Sequence, residues 1–219
     1  MILITGASGK IGKAIYHHLS QSPHRRFATP LHAQMPVESA FAVQKYIHAL
    51  PELDMVICAH GIYGEAARVE NSDPWQWRYA IEVNLLGTYN VCRFALPRMA
   101  PSGLMVNIAG GGGMLDAIPF ISSYACSKAG IVSLTRTLAA EYPELRINCI
   151  FPGMQDSEIH DRLIAAGPEG NPNYDAIKKM RETGEGTIPI ENTIKVIDRL
   201  IRDRIITGKV IFSRTGEIR

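Results

Sequence analysis

Three absences bound this chain of 219 residues before any motif is read. Net charge is only +2. No basic tract stands out, since Arg25-Arg26 and Lys178-Lys179-Arg181 are short, so neither nucleic acid nor an anionic membrane surface is expected as a partner. No apolar run is long enough to cross a bilayer. The four cysteines, Cys58, Cys92, Cys126 and Cys149, lack metal-ligand spacing. They read as buried free thiols, with Cys126 a small packing residue, and no metal site is expected. The seven histidines are scattered, and no Gly-x-Ser-x-Gly occurs, which removes support for a metal enzyme or a serine hydrolase. A strand-like Ile2-Leu3-Ile4 directly after Met1 leaves no room for a signal peptide, so a cytoplasmic protein is expected.

One further absence is local. No Asp or Glu occurs between Gly12 and Glu38. Its meaning depends on what precedes it, the run Gly6-Ala7-Ser8-Gly9-Lys10-Ile11-Gly12, which lies between an apolar segment ending at Thr5 and a helical pattern through Leu19. Strand, glycine turn and helix N-terminus together make a cradle for a pyrophosphate. The glycines let backbone approach the ligand, and the helix offers N–H groups and the positive end of its dipole. In such folds an acidic residue near the second strand commonly holds the adenosine ribose. Here the candidate strand, Arg26–Leu31, has only Lys10, Arg25, Arg26 and His32 nearby, which favours a 2′-phosphate and hence NADP over NAD.

Strands and helices alternate through the rest of the chain. Strands are expected at Asp54–Ala59, Leu104–Ala109, Arg146–Phe151 and Lys209–Ser213. Helices are expected at Val37–Leu50, Asp73–Met99, Tyr124–Glu141 and Glu191–Arg202, with shorter ones at Ser157–Ala166 and Tyr174–Thr183. Ser72 or Asp73 caps the long helix and Pro74 occupies its first turn. The implied architecture is α/β: one domain over 1–219, a Rossmann-type, doubly wound parallel sheet with helices on both faces. Gly12 to Val37 is too short for a full strand–helix–strand, so the N-terminal half is expected to be shortened, with one crossover helix missing.

The chemistry-bearing stretch is Tyr124-Ala125-Cys126-Ser127-Lys128. A Tyr and a Lys four apart share one helix face. A phenol titrates near pH ~10, and a neighbouring ammonium is expected to pull it toward the working range. Asn84 lies inside the long helix, a poor place for Asn unless its side chain serves backbone or a water.

Taken in order, these runs resemble the short-chain dehydrogenase/reductase family over essentially the whole chain. They are Gly6–Gly12, Cys58-Ala59-His60-Gly61 where the family usually has Asn-Asn-Ala-Gly, Val83-Asn84, Tyr124–Lys128, and Pro152-Gly153 with Ser157. The resemblance implies a hydride-transferring oxidoreductase using NADP or NAD on a small carbonyl or alcohol. Tyr124 would be the general acid or base. Lys128 would hold the nicotinamide ribose and tune Tyr124, and Asn84 would hold a water. Gly6, Ser8, Gly9, Lys10, Ile11, Gly12, Ala59, Gly61, Pro152, Gly153 and Ser157 would bind cofactor. The family pairs its two long helices across subunits, implying a homodimer or homotetramer. Their surplus of apolar residues agrees.

The glycine run, followed by Ala166-Gly167-Pro168-Glu169 and Arg181-Glu182-Thr183-Gly184 as a lid, is also similar to a subgroup associated with carbohydrate-biosynthesis gene clusters, so carbohydrate-related substrates are among those expected. One departure stands out. The family's serine before the active-site Tyr falls here on Gly110 or Gly111, so its hydroxyl is missing. A backbone N–H from Gly110–Gly112, Ser122, Ser123 or a water would have to replace it. The alternative is a non-catalytic cofactor-binding or regulatory protein on the same fold.

Overall fold

The computed structural model describes residues 1–111, 117–155, 159–165, 167–170 and 173–219. Its elements, in chain order, are β1 (Ile2–Thr5), α1 (Lys10–Ser20), β2 (Phe27–Ala28), α2 (Ala40–His48), β3 (Leu53–Cys58), α3 (Pro74–Ile81) and α4 (Gly87–Ala95). They continue with β4 (Met99–Ile108), α5 (Ser122–Glu141), β5 (Arg146–Phe151), α6 (Ile159–Ala165), α7 (Gly167–Gly170), α8 (Tyr174–Thr183), α9 (Ile190–Arg202) and β6 (Val210–Phe212). The six strands form one sheet in the order β2-β1-β3-β4-β5-β6, every neighbouring pair parallel.

Strand alternation distributes the core over both faces. Leu3, Val56, Met105 and Ile147 pack with α2, α4 and α5 through Val43, Ile47, Val91 and Leu138. Ile2, Ile4, Met55, Ile57, Val106 and Ile150 pack on the other face with Ile15 and Leu19 of α1 and Val196, Ile197 and Leu200 of α9. His18 of α1 and Asp198 of α9, 2.8 Å apart, tie the two helices at their solvent edge.

The N-terminal half is reduced as its length implies, since β2 pairs with β1 through only two residues. One expectation fails. A complete helix, α2, joins β2 to β3, so no crossover helix is missing between the strands that form. Eleven residues, 29–39, carry the chain from edge strand to helix without regular structure, and the Ser39 hydroxyl caps α2 by accepting from Ala42 N–H.

The long helix is a chain of pieces. Asp73 caps α3, accepting from Trp75 N–H at 2.9 Å, and Pro74 follows. A π-turn, Glu82–Leu86, separates α3 from α4 and carries Asn84. π-turns inside α-helices frequently mark functional positions. Cys58, Cys92 and Cys149 are buried free thiols, but Cys126 is exposed, against expectation, because its position on α5 points away from the sheet. Among the described residues no helix is long and apolar enough to cross a membrane.

Candidate active site

The chain order reverses direction across the sheet at β1, which has β2 on one side and β3 on the other. In open parallel sheets the crevice beyond the strand ends at such a point is where ligands bind. Gly6 ends β1 there, with φ +68. A Cβ on Gly6 would lie 2.5 Å from His60 N, and one on Gly12 would lie 2.2 Å from the Gly6 oxygen, so turn, helix and neighbouring strand close on one another only because both positions are bare. The Gly9 N–H donates to Gly6 O at 3.1 Å, and Gly9 opens α1 with no side-chain cap. The helix N-terminus therefore presents backbone rather than side chain. Ser8 and Lys10 are exposed on this turn, and Ile11 turns inward to a cavity of about 720 Å³.

Ala59, His60 and Gly61, at the end of β3, line the same cavity. His60 is held between Thr5 (Oγ1 to Nδ1, 2.6 Å) and Thr88 (Oγ1 to Nε2, 3.4 Å). Burial, with Lys128 nearby, pushes its pKa down to about 3, so the imidazole is neutral. Gly61 sits against two polar groups: a Cβ there would meet Asn84 Oδ1 at 3.2 Å and Lys128 Nζ at 3.3 Å.

Asn84 is fully buried behind that wall. Its Oδ1 accepts from Ile62 N–H and its Nδ2 donates to Ile62 O, both at 2.8 Å, and Nδ2 also donates to Ser127 Oγ at 3.0 Å. The Ser127 hydroxyl in turn donates to Tyr124 O at 2.7 Å. The interior helix Asn thus serves backbone: it fixes the loop after β3 and the first turn of α5 together.

Tyr124 and Lys128 face the cavity from α5, beside Ile108, Ala109 and Gly110 at the end of β4. Lys128 Nζ donates to Ile108 O at 3.1 Å and lies 5.5 Å from the centre of the Tyr124 ring. The expected lowering of the Tyr124 pKa is overturned. Burial drives the phenol up to about 12, and the same burial drives Lys128 down to about 8. Desolvation disfavours each charged form and outweighs their mutual attraction at this distance. Pro152 and Gly153, after β5, complete the wall, with Gly153 at φ +75 against Ile188. Ser157 lies outside the described residues.

Gly110 has a specific reason to be glycine, because a Cβ there would stand 2.5 Å from Tyr124 Oη. Neither Gly110 nor Gly111 has a positive φ, so neither supplies a left-handed backbone donor, and Gly112 lies outside the described residues. Ser122 Oγ accepts from Trp77 Nε1 at 3.0 Å, and Ser123 is buried beside Gly64.

Comparison with known proteins now decides the family. The model described as "Enoyl-(Acyl carrier protein) reductase" matches residues 2–216. The 3-oxoacyl-(acyl-carrier-protein) reductase FabG of Thermotoga maritima is 30% identical over 181 residues, 77% of this chain and 68% of the relative. The chain belongs to the short-chain dehydrogenase/reductase family. An L-fucose dehydrogenase of Oryctolagus cuniculus is 32% identical over 129 residues, 56% of this chain but only 44% of that protein's length. A solved small-chain dehydrogenase in complex with NADPH superposes with a TM-score of 0.83 at 19% identity, covering 98% of this chain and 96% of that one.

Members of the short-chain dehydrogenase/reductase family use NAD(P), and the bare glycine cradles at Gly6, Gly12 and Gly61 fit such a cofactor. Within this site, sequence reasoning missed Tyr63, whose ring stacks on Tyr124 with centroids 5.0 Å apart and planes 26° apart. It also missed Arg214, Thr215 and Glu217, brought to the cavity by the turn after β6. Neither carried a motif. Tyr63 stood two residues past the Ala-His-Gly run and could have been flagged only by that proximity.

Proposed function

We propose that the protein reduces a small carbonyl compound with NADPH, Tyr124 serving as general acid. The observation that carries this reading is the half-buried phenol of Tyr124, which shares the cavity with Lys128 while its oxygen fills the space a side chain on Gly110 would need. A bound nicotinamide cofactor supplies the hydride. Gly6, Ser8, Gly9, Lys10, Ile11 and Gly12 would hold its pyrophosphate end, and Ala59, Gly61, Pro152 and Gly153 would flank it further in, with Ser157 proposed beside them. Lys128 would hold the ribose.

A pKa near 12 keeps the Tyr124 Oη–H intact at neutral pH, the form a proton donor to a developing alkoxide needs. As that proton leaves, the Lys128 ammonium 5.5 Å away stabilises the phenolate. Asn84 keeps Lys128 and Tyr124 in register by clamping Ile62 and Ser127. The preference for NADPH over NADH rests on the missing carboxylate after β2. Glu38, the first acidic residue beyond Gly12, is tied to His32 at 2.8 Å. Tyr63, Ile118, Ile121, Met154 and Ile177 around the cavity favour a carbonyl compound with apolar substituents over a carbohydrate-related one.

The test is oxidation of NADPH and of NADH, side by side, against a panel of ketones, aldehydes and keto-sugars. Turnover is expected with NADPH preferred. It should be flat below about pH 8 and fall above it, as Lys128 loses the proton that stabilises the phenolate. Binding of NADPH with no reduction of any carbonyl would favour the non-catalytic alternative.

We also propose a homodimer or homotetramer formed through the outer face of α3 and α4, where Trp75, Leu86 and Tyr89 are exposed. A solution-scattering mass of one chain at all concentrations would refute it.

A further inference from the structure

The run from Ala109 to Asp116 contains no hydroxyl side chain, Gly110 has no room for one, Ser122 Oγ accepts from Trp77 Nε1, and Ser123 is buried beside Gly64. Another wall of the cavity does carry a phenolic hydroxyl. Tyr63 lies on that wall. Its backbone is fixed on both sides. Ile62 before it is gripped at N–H and C=O by Asn84, and Gly64 after it has φ +79 and packs closely on Ala80 and Ser123.

The Tyr63 ring is fixed as well. One face stacks on Tyr124, and the side chain packs against the cluster of Ile177 and Met180. Among the described residues, no protein group hydrogen-bonds its hydroxyl, which leaves that group for what enters the cavity.

We propose that Tyr63 is a second catalytic hydroxyl, donating a hydrogen bond to the carbonyl oxygen that Tyr124 protonates. This rests on the reductase reading above. With the hydride that a bound reduced nicotinamide would supply arriving at the carbonyl carbon, the C=O π pair would become the oxygen lone pair that takes the proton from Tyr124 Oη. Tyr63 keeps its own proton throughout. The division of labour between two phenols follows from their neighbours. Lys128 stands over the Tyr124 ring and stabilises its phenolate, whereas burial and the adjacent Tyr124 both hold the Tyr63 phenol above its ordinary range. Preorganised donors aimed at developing charge are worth about 10²–10³ in rate.

The experiment uses protein labelled with ¹³C at tyrosine Cζ, loaded with NADP⁺ so that no reduction occurs, and titrated with cyclohexanone. Signals are assigned from Tyr63→Phe and Tyr124→Phe. Both should move along one saturation curve. A Tyr63 signal that stays in place, whatever Tyr124 does, overturns the proposal. Turnover is read separately. Tyr63→Phe keeps the ring and its stack, so kcat should fall about 10²-fold with the NADPH Kd unchanged. Wild-type kcat in Tyr63→Phe overturns the proposal. If both signals move while the wild type reduces no carbonyl, the reductase reading fails and the two-hydroxyl site stands.

Discussion

At the end of β1 the chain turns by removing side chains, whereas beyond the ends of β3 and β4 the π-turn and α5 bring in polar ones. Gly6 and Gly12 approach their neighbours so closely that any Cβ would collide with backbone, and the helix that follows has no side-chain cap. Across the crevice, Asn84 and Ser127 form a run of hydrogen bonds from Ile62 to the Tyr124 carbonyl, and Lys128 beside them donates to Ile108 O. The first wall is cheap to build and tolerates a two-residue β2. The second buries an ammonium and a phenol and is therefore costly. A wall of backbone suits a constant ligand such as a pyrophosphate. A wall of fixed side chains suits a reaction, in which a proton must sit at one atom.

The sharpest way to break that contrast is Lys128→Met. If the ammonium is kept for function at the expense of stability, the variant should lose NADPH affinity and turnover and yet fold more stably. The sign follows from linkage. The lysine pKa is lowered from 10.5 to about 8, so its charged form is penalised in the folded state. The penalty is full below pH 8, shrinks between pH 8 and 10.5, and is gone above. At pH 7 the gain should be on the order of 1–2 kcal/mol, after loss of the bond to Ile108 O. Denaturant midpoints at pH 7 and pH 10 measure it, and a variant less stable than wild type at pH 7 would contradict the account.

A smaller effect separates two adjacent glycines. Gly110→Ser places a Cβ where Tyr124 Oη stands, so the phenol must move and kcat should fall about 10²-fold. At Gly111 the nearest atom is the far end of Ile118, at 3.2 Å, so Gly111→Ser should keep activity within a few-fold. Equal losses at the two positions would mean that the phenol oxygen does not occupy the Gly110 site.

Much of this was legible in the sequence, and the part that was not has a physical reason. Repeating apolar patterns located β5 and α8 to the residue, because both are bounded by turn-forming residues. Tyr124–Lys128 and the glycine turn were legible because their spacing is local. The π-turn at Asn84 was visible only as a residue unsuited to a helix interior. Tyr63 and the Arg214–Glu217 turn reach the cavity through tertiary folding, so no local spacing encodes them. The Tyr124 pKa was misjudged for the same reason. Pairing with Lys128 is written in the sequence, but the burial that dominates it is a property of the assembled fold.

The central claim is that one wall binds and the other reacts, with Tyr124 as the acid. Tyr124→Phe tests it most directly, because the ring, its stack on Tyr63 and the space at Gly110 are kept while the proton is lost. NADPH affinity and kcat on the best carbonyl of the panel are measured on the same preparation. The account predicts an NADPH Kd within about threefold of wild type and a kcat reduced by at least about 10³-fold. Wild-type turnover in Tyr124→Phe would contradict it.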